Sequence, residues 1–172
     1  MQVSDILIDA FSRIHEQVRA VLQGLDNEQL TFRADSDANS IAWLVWHLTR
    51  IQDDHVSEVA GHEQAWATEG WAERFALELD PLDTGYGHNR AEVAKVRAGA
   101  DLLGGYHDAV YRQTERYLKT LSNDAFDRVV DRRWDPPVTL GVRLVSVVGD
   151  DLQHVGQAAF VRGLVLRGAG RA

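Results

Sequence analysis

Asp150 and His154 stand four residues apart, and both are of types that bind metals or exchange protons. An α-helix turns about 100° per residue. With His154 as zero, Asp150 lies near about −40°, and Val147, Ala158, Val161 and Val165 all lie within about 40° of it. The acid and the imidazole therefore share a face made mostly of valine and alanine. An unpaired carboxylate buried there costs several kcal/mol, so Asp150 needs a partner. Three are available: a metal, Arg143 on the same face near about −20°, or His154 itself. His47, much earlier in the chain, sits at the border of an apolar stripe formed by Leu44 and Ile51, with Asp54 and Arg50 on its other side. Two imidazoles and one carboxylate would suit Zn²⁺, Fe²⁺, Ni²⁺ or Mn²⁺, with positions left open for water or substrate.

The chain of 172 residues carries 18 basic and 26 acidic side chains, for a net charge of −8. That balance counts against nucleic acid or an anionic membrane as a partner, since both select clustered Lys and Arg. Hydrophobic residues make up 45% of the chain, enough for the core of one domain spanning residues 1–172. There is no cysteine, which removes disulfides, thiolate nucleophiles and cysteine-ligated metals. Any thiol chemistry must use sulfur from outside. No apolar run is long enough to span a bilayer, and Met1–Asp5 lacks the basic start of a signal peptide, so a cytoplasmic protein is expected.

The elements that must position these groups are helical. Val3, Ile6, Leu7, Ala10, Phe11, Ile14, Val18, Val21 and Leu22 recur at steps of three and four, which predicts one helix stopped by Gly24. Residues 25–39 read as turns, with a short helical piece near Glu28. Asn39 or Ser40 would cap a second helix running to about Val59 and ending at Gly61. Residues 62–88 read as a long loop with at most a short helix near Glu69–Leu77. A third helix is expected over Asn89–Leu121, weakened by Gly99, Gly104 and Gly105, where a bend or a close helix contact should fall. Pro136-Pro137 keeps residues 122–139 from being helical throughout. Thr139 should cap a fourth helix that runs to about Arg167 and ends at Gly168 and Gly170. Four long amphipathic helices predict an all-α, antiparallel four-helix bundle, whose sites are built from inward-facing side chains of neighbouring helices.

The wording around both histidines carries a resemblance. Ser40-Ile41-Ala42-Trp43-Leu44-Val45-Trp46-His47-Leu48-Thr49-Arg50-Ile51-Gln52-Asp53-Asp54-His55 resembles the second-helix motif of the DinB-like helical-bundle superfamily. Asp150-x-x-x-His154-x-Gly156-Gln157 resembles its fourth-helix motif. The chain looks most like the branch of mycothiol-dependent transferases and maleylpyruvate isomerases. The resemblance implies a divalent metal, often zinc or nickel, held by His47, Asp150 and His154, and dimerisation as the usual state. One departure is notable: many members carry histidine, and the mycothiol branch glutamate, where this chain has Asp150. Aspartate is one methylene shorter, which could draw the metal toward the fourth helix or place a water between.

The implied activity is metal-dependent activation of a low-molecular-weight thiol for S-transfer to, or isomerisation of, a small electrophile. A hydrolase using hydroxide held by the same metal, or a non-catalytic sensor of a ligand or metal, would use the same residues. His55 would line the site or shuttle a proton; Arg50 and Arg143 would receive a substrate carboxylate or else pair with Asp54 and Asp150. Plainer roles are expected elsewhere. His107 reads as a satisfied core histidine, His15, His62 and His88 as surface residues, and Trp43 and Trp46 as core anchors. Trp66, Trp71 and Trp134 fall in loops or at their borders, and Asp131-Arg132-Arg133 reads as a solvated loop.

Overall fold

The first apolar stripe folds as α1 (Val3–Leu22), burying Leu7, Phe11, Ile14, Val18, Val21 and Leu22 in a computed structural model that describes residues 2–168. A short α2 (Asn27–Thr31) follows, capped by Asp26. Ser40 accepts a hydrogen bond from the Trp43 amide and starts α3 (Ile41–Ala60); Gly61, at φ 73°, ends it. Two short helices, α4 (Ala65–Thr68) and α5 (Trp71–Phe75), occupy the stretch expected to be mostly loop. Then come α6 (Arg90–Lys95), α7 (Ala100–Leu118), a 3-10 turn (Asn123–Asp127) and a hairpin of β1 (Val129–Asp131) with β2 (Val138–Thr139). Thr139 caps the last and longest helix, α8 (Leu140–Leu166). Gly168 follows it at φ 88°; Gly170 lies outside the described residues.

The single third helix expected over Asn89–Leu121 is two. Asn89 caps α6 by accepting from the Ala91 and Glu92 amides, Val96 turns the backbone out of the helix at ψ 95°, and Gly99 serves as N-cap of α7 at ψ 163°. Gly104 and Gly105 stay helical. A Cβ on Gly105 would lie 3.0 Å from the Trp71 ring, so its small size serves close contact with α5 and no bend. The β-hairpin is another departure, its strands too short to leave a period-two signal, and the parallel run of α3 and α7 departs from the expected antiparallel arrangement.

The four long helices pack as a ring: α1 against α7 and α8, α3 against the same two. Along α3 and α8 the pairings run in opposite directions, His47 meeting His154 and His55 meeting Arg143. Along α3 and α7 they run together, Thr49 bonding to His107 and Gln52 to Thr114. Residues 61–99 carry the chain back between those two helices, which parallel neighbours require. Asp53 ties that connection down: its carboxylate accepts from the amides of Ala65 and Trp66 and from the Tyr106 hydroxyl.

His107 lies at the centre of the α3–α7 contact. The Thr49 hydroxyl donates to the Val45 carbonyl, so its oxygen accepts from His107 Nδ1 at 3.1 Å. His107 Nε2 has no partner, so the ring is only half satisfied. His15, expected on the surface, packs against it and bonds to Asp108 at 2.6 Å. Burial, with His15 adding to it, pushes the His107 pKa down to about 3. Below the ordinary pKa of about 6.5 the unfolded chain takes up a proton that the folded chain refuses. The resulting stability is complete above that value and falls as pH drops toward 3. Between pH 7 and 4.5 this group should cost about 3 kcal/mol, measured by denaturant unfolding, and His107→Gln should flatten that slope.

Candidate metal centre

The antiparallel contact of α3 with α8 brings His47, Asp150 and His154 together. Each offers one ligand atom, and these atoms all lie within 4.8 Å of one another. His154 Nε2 is 3.5 Å from Asp150 Oδ1, and the two imidazoles meet edge to face at 4.7 Å between centroids. A tetrahedral ion about 2.1 Å from each ligand sets them about 3.4 Å apart, so small side-chain rotations suffice. His47 is buried and the other two are half-buried.

The second nitrogen of each ring is already committed. His47 Nδ1 donates to the Thr84 carbonyl at 2.5 Å, and His154 Nδ1 donates to Gln157 Oε1 at 3.2 Å. In its neutral form each ring therefore presents the Nε2 lone pair, the arrangement that fixes a metal-ligating tautomer. Asp150 Oδ2 is buried and makes no hydrogen bond among the described residues. A buried orphan carboxylate oxygen beside two imidazole lone pairs fits a cation.

The charges agree. Burial would raise the Asp150 carboxyl, but His154, His47 and His55 around it prevail and hold it below the usual range. Burial would lower His154, but the Asp150 carboxylate prevails and holds it above its ordinary value, so a cation entering the site takes the place of the His154 proton. His47 is pushed down by burial, partly opposed by the Thr84 carbonyl.

Arg143 does not fill the space between the ligands. It bonds Glu58 at 2.6 Å, Asp131 at 3.3 Å and His55 Nδ1 at 3.2 Å. The expected pairing with Asp150 is thus replaced by one with Glu58 and Asp131. Asp131, expected in a solvated loop, is instead buried, and bonds Arg133 as well. Because the guanidinium can only donate, His55 Nδ1 accepts and the proton sits on Nε2. Burial and then the Arg143 charge push the His55 pKa down, so the ring is neutral.

Arg50 is placed otherwise than expected. It is fully buried, donates to the Asp83 carbonyl, Gln64 and Tyr106, and does not pair with Asp54. No substrate carboxylate can reach it. His88, expected on the surface, is buried behind His47 between Trp43 and Asp83. Trp43 and Trp46 are core residues as expected, and Trp66 and Trp71 are buried with them, while Trp134 is exposed.

Asp151 is not among the site residues expected from the sequence. It is fully buried, neither of its oxygens has a partner, and burial pushes its pKa well up, so it is a neutral acid in the core. The signal was present: Leu144, Val147, Asp151, Val155 and Ala158 fall at steps of three and four. Asp150 and His154 lie on the flank of that line, not on its centre.

Residues 6–166 match the family described as Mycothiol-S-transferase, and the chain belongs to that DinB-like family. Among solved structures it is similar to a chain titled as a conserved protein from Enterococcus faecalis, at 32% identity and a TM-score of 0.90, over 96% of this chain and 98% of that one. No curated protein matches it.

Removing the Arg143 charge should release His55. In Arg143→Met the His55 ring should titrate at a higher pH than in the wild type, because the cation that disfavours its protonation is gone and Glu58 is left nearby. Histidine NMR titration reads this directly.

Proposed function

We propose that the protein is a metal-dependent transferase or isomerase that uses a low-molecular-weight thiol of the mycothiol type against a small electrophile. The observation that carries this reading is the His47–Asp150–His154 cluster in a chain of this family. Bound there, a divalent cation such as Zn²⁺ or Ni²⁺ supplies the charge that keeps a thiol as thiolate, the nucleophile, at neutral pH. The chain has no cysteine, so that sulfur belongs to the cosubstrate.

The chain's own residues supply the rest. His47 and His154 hold their Nε2 lone pairs toward one point, and Asp150 adds the negative charge that balances the cation. Trp43 stacks on His47 at 4.6 Å and excludes water from that side. His55, held by Arg143 with its proton on Nε2, donates a hydrogen bond to an anionic group of the electrophile or to the departing group. Arg143 acts through His55, its charge already matched by the Glu58 and Asp131 carboxylates. The protein works in this reading as a single cytoplasmic domain; no helix among the described residues is long and apolar enough to cross a membrane.

A homodimer completes the proposal. The outward side of α8 carries Val142, Gly149, Gly156 and Gly163 at every seventh residue, with Val145, Leu152, Ala159 and Leu166 three residues after each. Phe160 extends the strip, and none of these nine residues is charged. Val142, Val145, Leu152, Phe160 and Leu166 are all exposed. A heptad seam with a glycine in three of its four repeats suits a second α8 packed closely against it.

Purified protein should hold close to one transition-metal ion per chain by elemental analysis, and His47→Ala or His154→Ala should lose it. With metal present, the cognate thiol among mycothiol, bacillithiol and glutathione at 100 times its Kd should stabilise the protein by about 2.7 kcal/mol, or roughly 5–10 °C. It should also be consumed by a chlorodinitroarene or an epoxide. Metal without any thiol effect would overturn the transferase reading. Light scattering should give a dimer mass, and Leu152→Glu combined with Phe160→Glu should give a monomer that retains the metal.

A further inference from the structure

We propose that residues 83–88 form a clamp that locks the His47 ring in one tautomer and one orientation for a cation, with Asp83, His88 and Arg50 as its positioning residues. This deepens the metal-site reading and rests on it.

The clamp begins at the atom that matters. The Thr84 carbonyl takes the Nδ1 proton of His47. A backbone carbonyl cannot donate, so the ring cannot adopt the other neutral tautomer without losing this bond. What matters next is how that carbonyl is held. Its neighbour Gly85 sits at φ 91°, a conformation L side chains rarely adopt. A Cβ there would fall 2.8 Å from His47 Nδ1, 2.9 Å from the Trp46 ring and 3.2 Å from the Trp43 ring. The loop therefore lies directly on the imidazole, at a distance only glycine permits.

Three anchors hold it there. Asp83 Oδ1 accepts from the Gly85 amide at 2.8 Å and closes the turn. Asp83 Oδ2 bonds to His88 Nε2 at 2.8 Å, and His88 Nδ1 accepts from the Trp43 indole at 3.0 Å. Indole N–H only donates, so His88 is the neutral ring with its proton on Nε2, which it gives to Asp83. Trp43 in turn stacks on His47, nearly parallel at 14°, so the carbonyl side and the flat face of the ring are tied to the same residue, His88. From behind, Arg50 Nε donates to the Asp83 carbonyl at 3.1 Å. The guanidinium faces the buried Asp53 carboxylate at 3.8 Å, and with Gln64 and Tyr106 it pins the loop to α3 on the residue one turn beyond His47.

The test compares His88→Phe and Asp83→Asn, which break anchors, with His88→Gln, whose amide can both accept from Trp43 and donate to Asp83. Two readouts are taken: the His47 ring tautomer by ¹⁵N NMR of metal-free protein, and Co²⁺ affinity with the visible spectrum of the bound ion. In the wild type His47 should be a single Nδ1–H tautomer. His88→Phe and Asp83→Asn should mix the tautomers, weaken Co²⁺ by tenfold or more and change its spectrum, while His88→Gln restores the wild-type values. Wild-type tautomer and affinity in either anchor-breaking variant, properly folded, would overturn the clamp. A wild type that binds no Co²⁺ would overturn the metal reading, and the metal-free tautomer would still decide the clamp.

Discussion

The antiparallel packing of α3 on α8 is the constraint from which the rest of the molecule follows. Neither helix alone holds a site. His47 on one, and Asp150 and His154 one turn apart on the other, become neighbours because the two helices run against each other along their length. The same register sets His55, about two turns further along α3, beside Arg143, two to three turns back along α8, and so places an oriented imidazole near the candidate metal centre. A register slip of one turn, about 5.4 Å, would separate every one of these pairs.

That packing is made possible by an unusual degree of burial. α3 is covered almost all round, and it buries Thr49, Arg50, Gln52 and Asp53 along with its apolar residues. Buried polar groups are costly unless hydrogen-bonded, and here nearly all are bonded to the 61–99 connection or to α7. The polar side of α3 thus acts as a template on which the returning chain folds. The connection is no slack loop. It carries two short helices, and through Thr84 it delivers the carbonyl that sets the His47 ring.

Asp151 stands apart from this economy. It is an acid in the α8 core, directly beside Asp150 in sequence, whose burial favours the neutral form, and neither oxygen is bonded among the described residues.

Several features are local and so could be read from the chain. Ser40 and Thr139 cap their helices with their own hydroxyls, Gly61 ends α3 by its backbone freedom, and the stripes of α1, α3 and α8 follow from the 3.6-residue period. The candidate triad of His47, Asp150 and His154 is legible as residue types and spacing, supported by its resemblance to a known motif. Other features were decided only in three dimensions. The break at Val96–Gly99 interrupts a run whose apolar spacing stays helical, and Gly99 packs where a Cβ would meet Asn27 at 3.1 Å. Arg50 and Arg143 look alike in sequence, yet one is sealed in beside Asp53 of its own helix by Gln64, Tyr106 and Trp66, and the other is taken by Glu58 and Asp131. Helical period and caps depend on neighbours within four residues, which the sequence lists. The partner of a buried charge depends on which distant segment arrives beside it, and only the packed chain determines that.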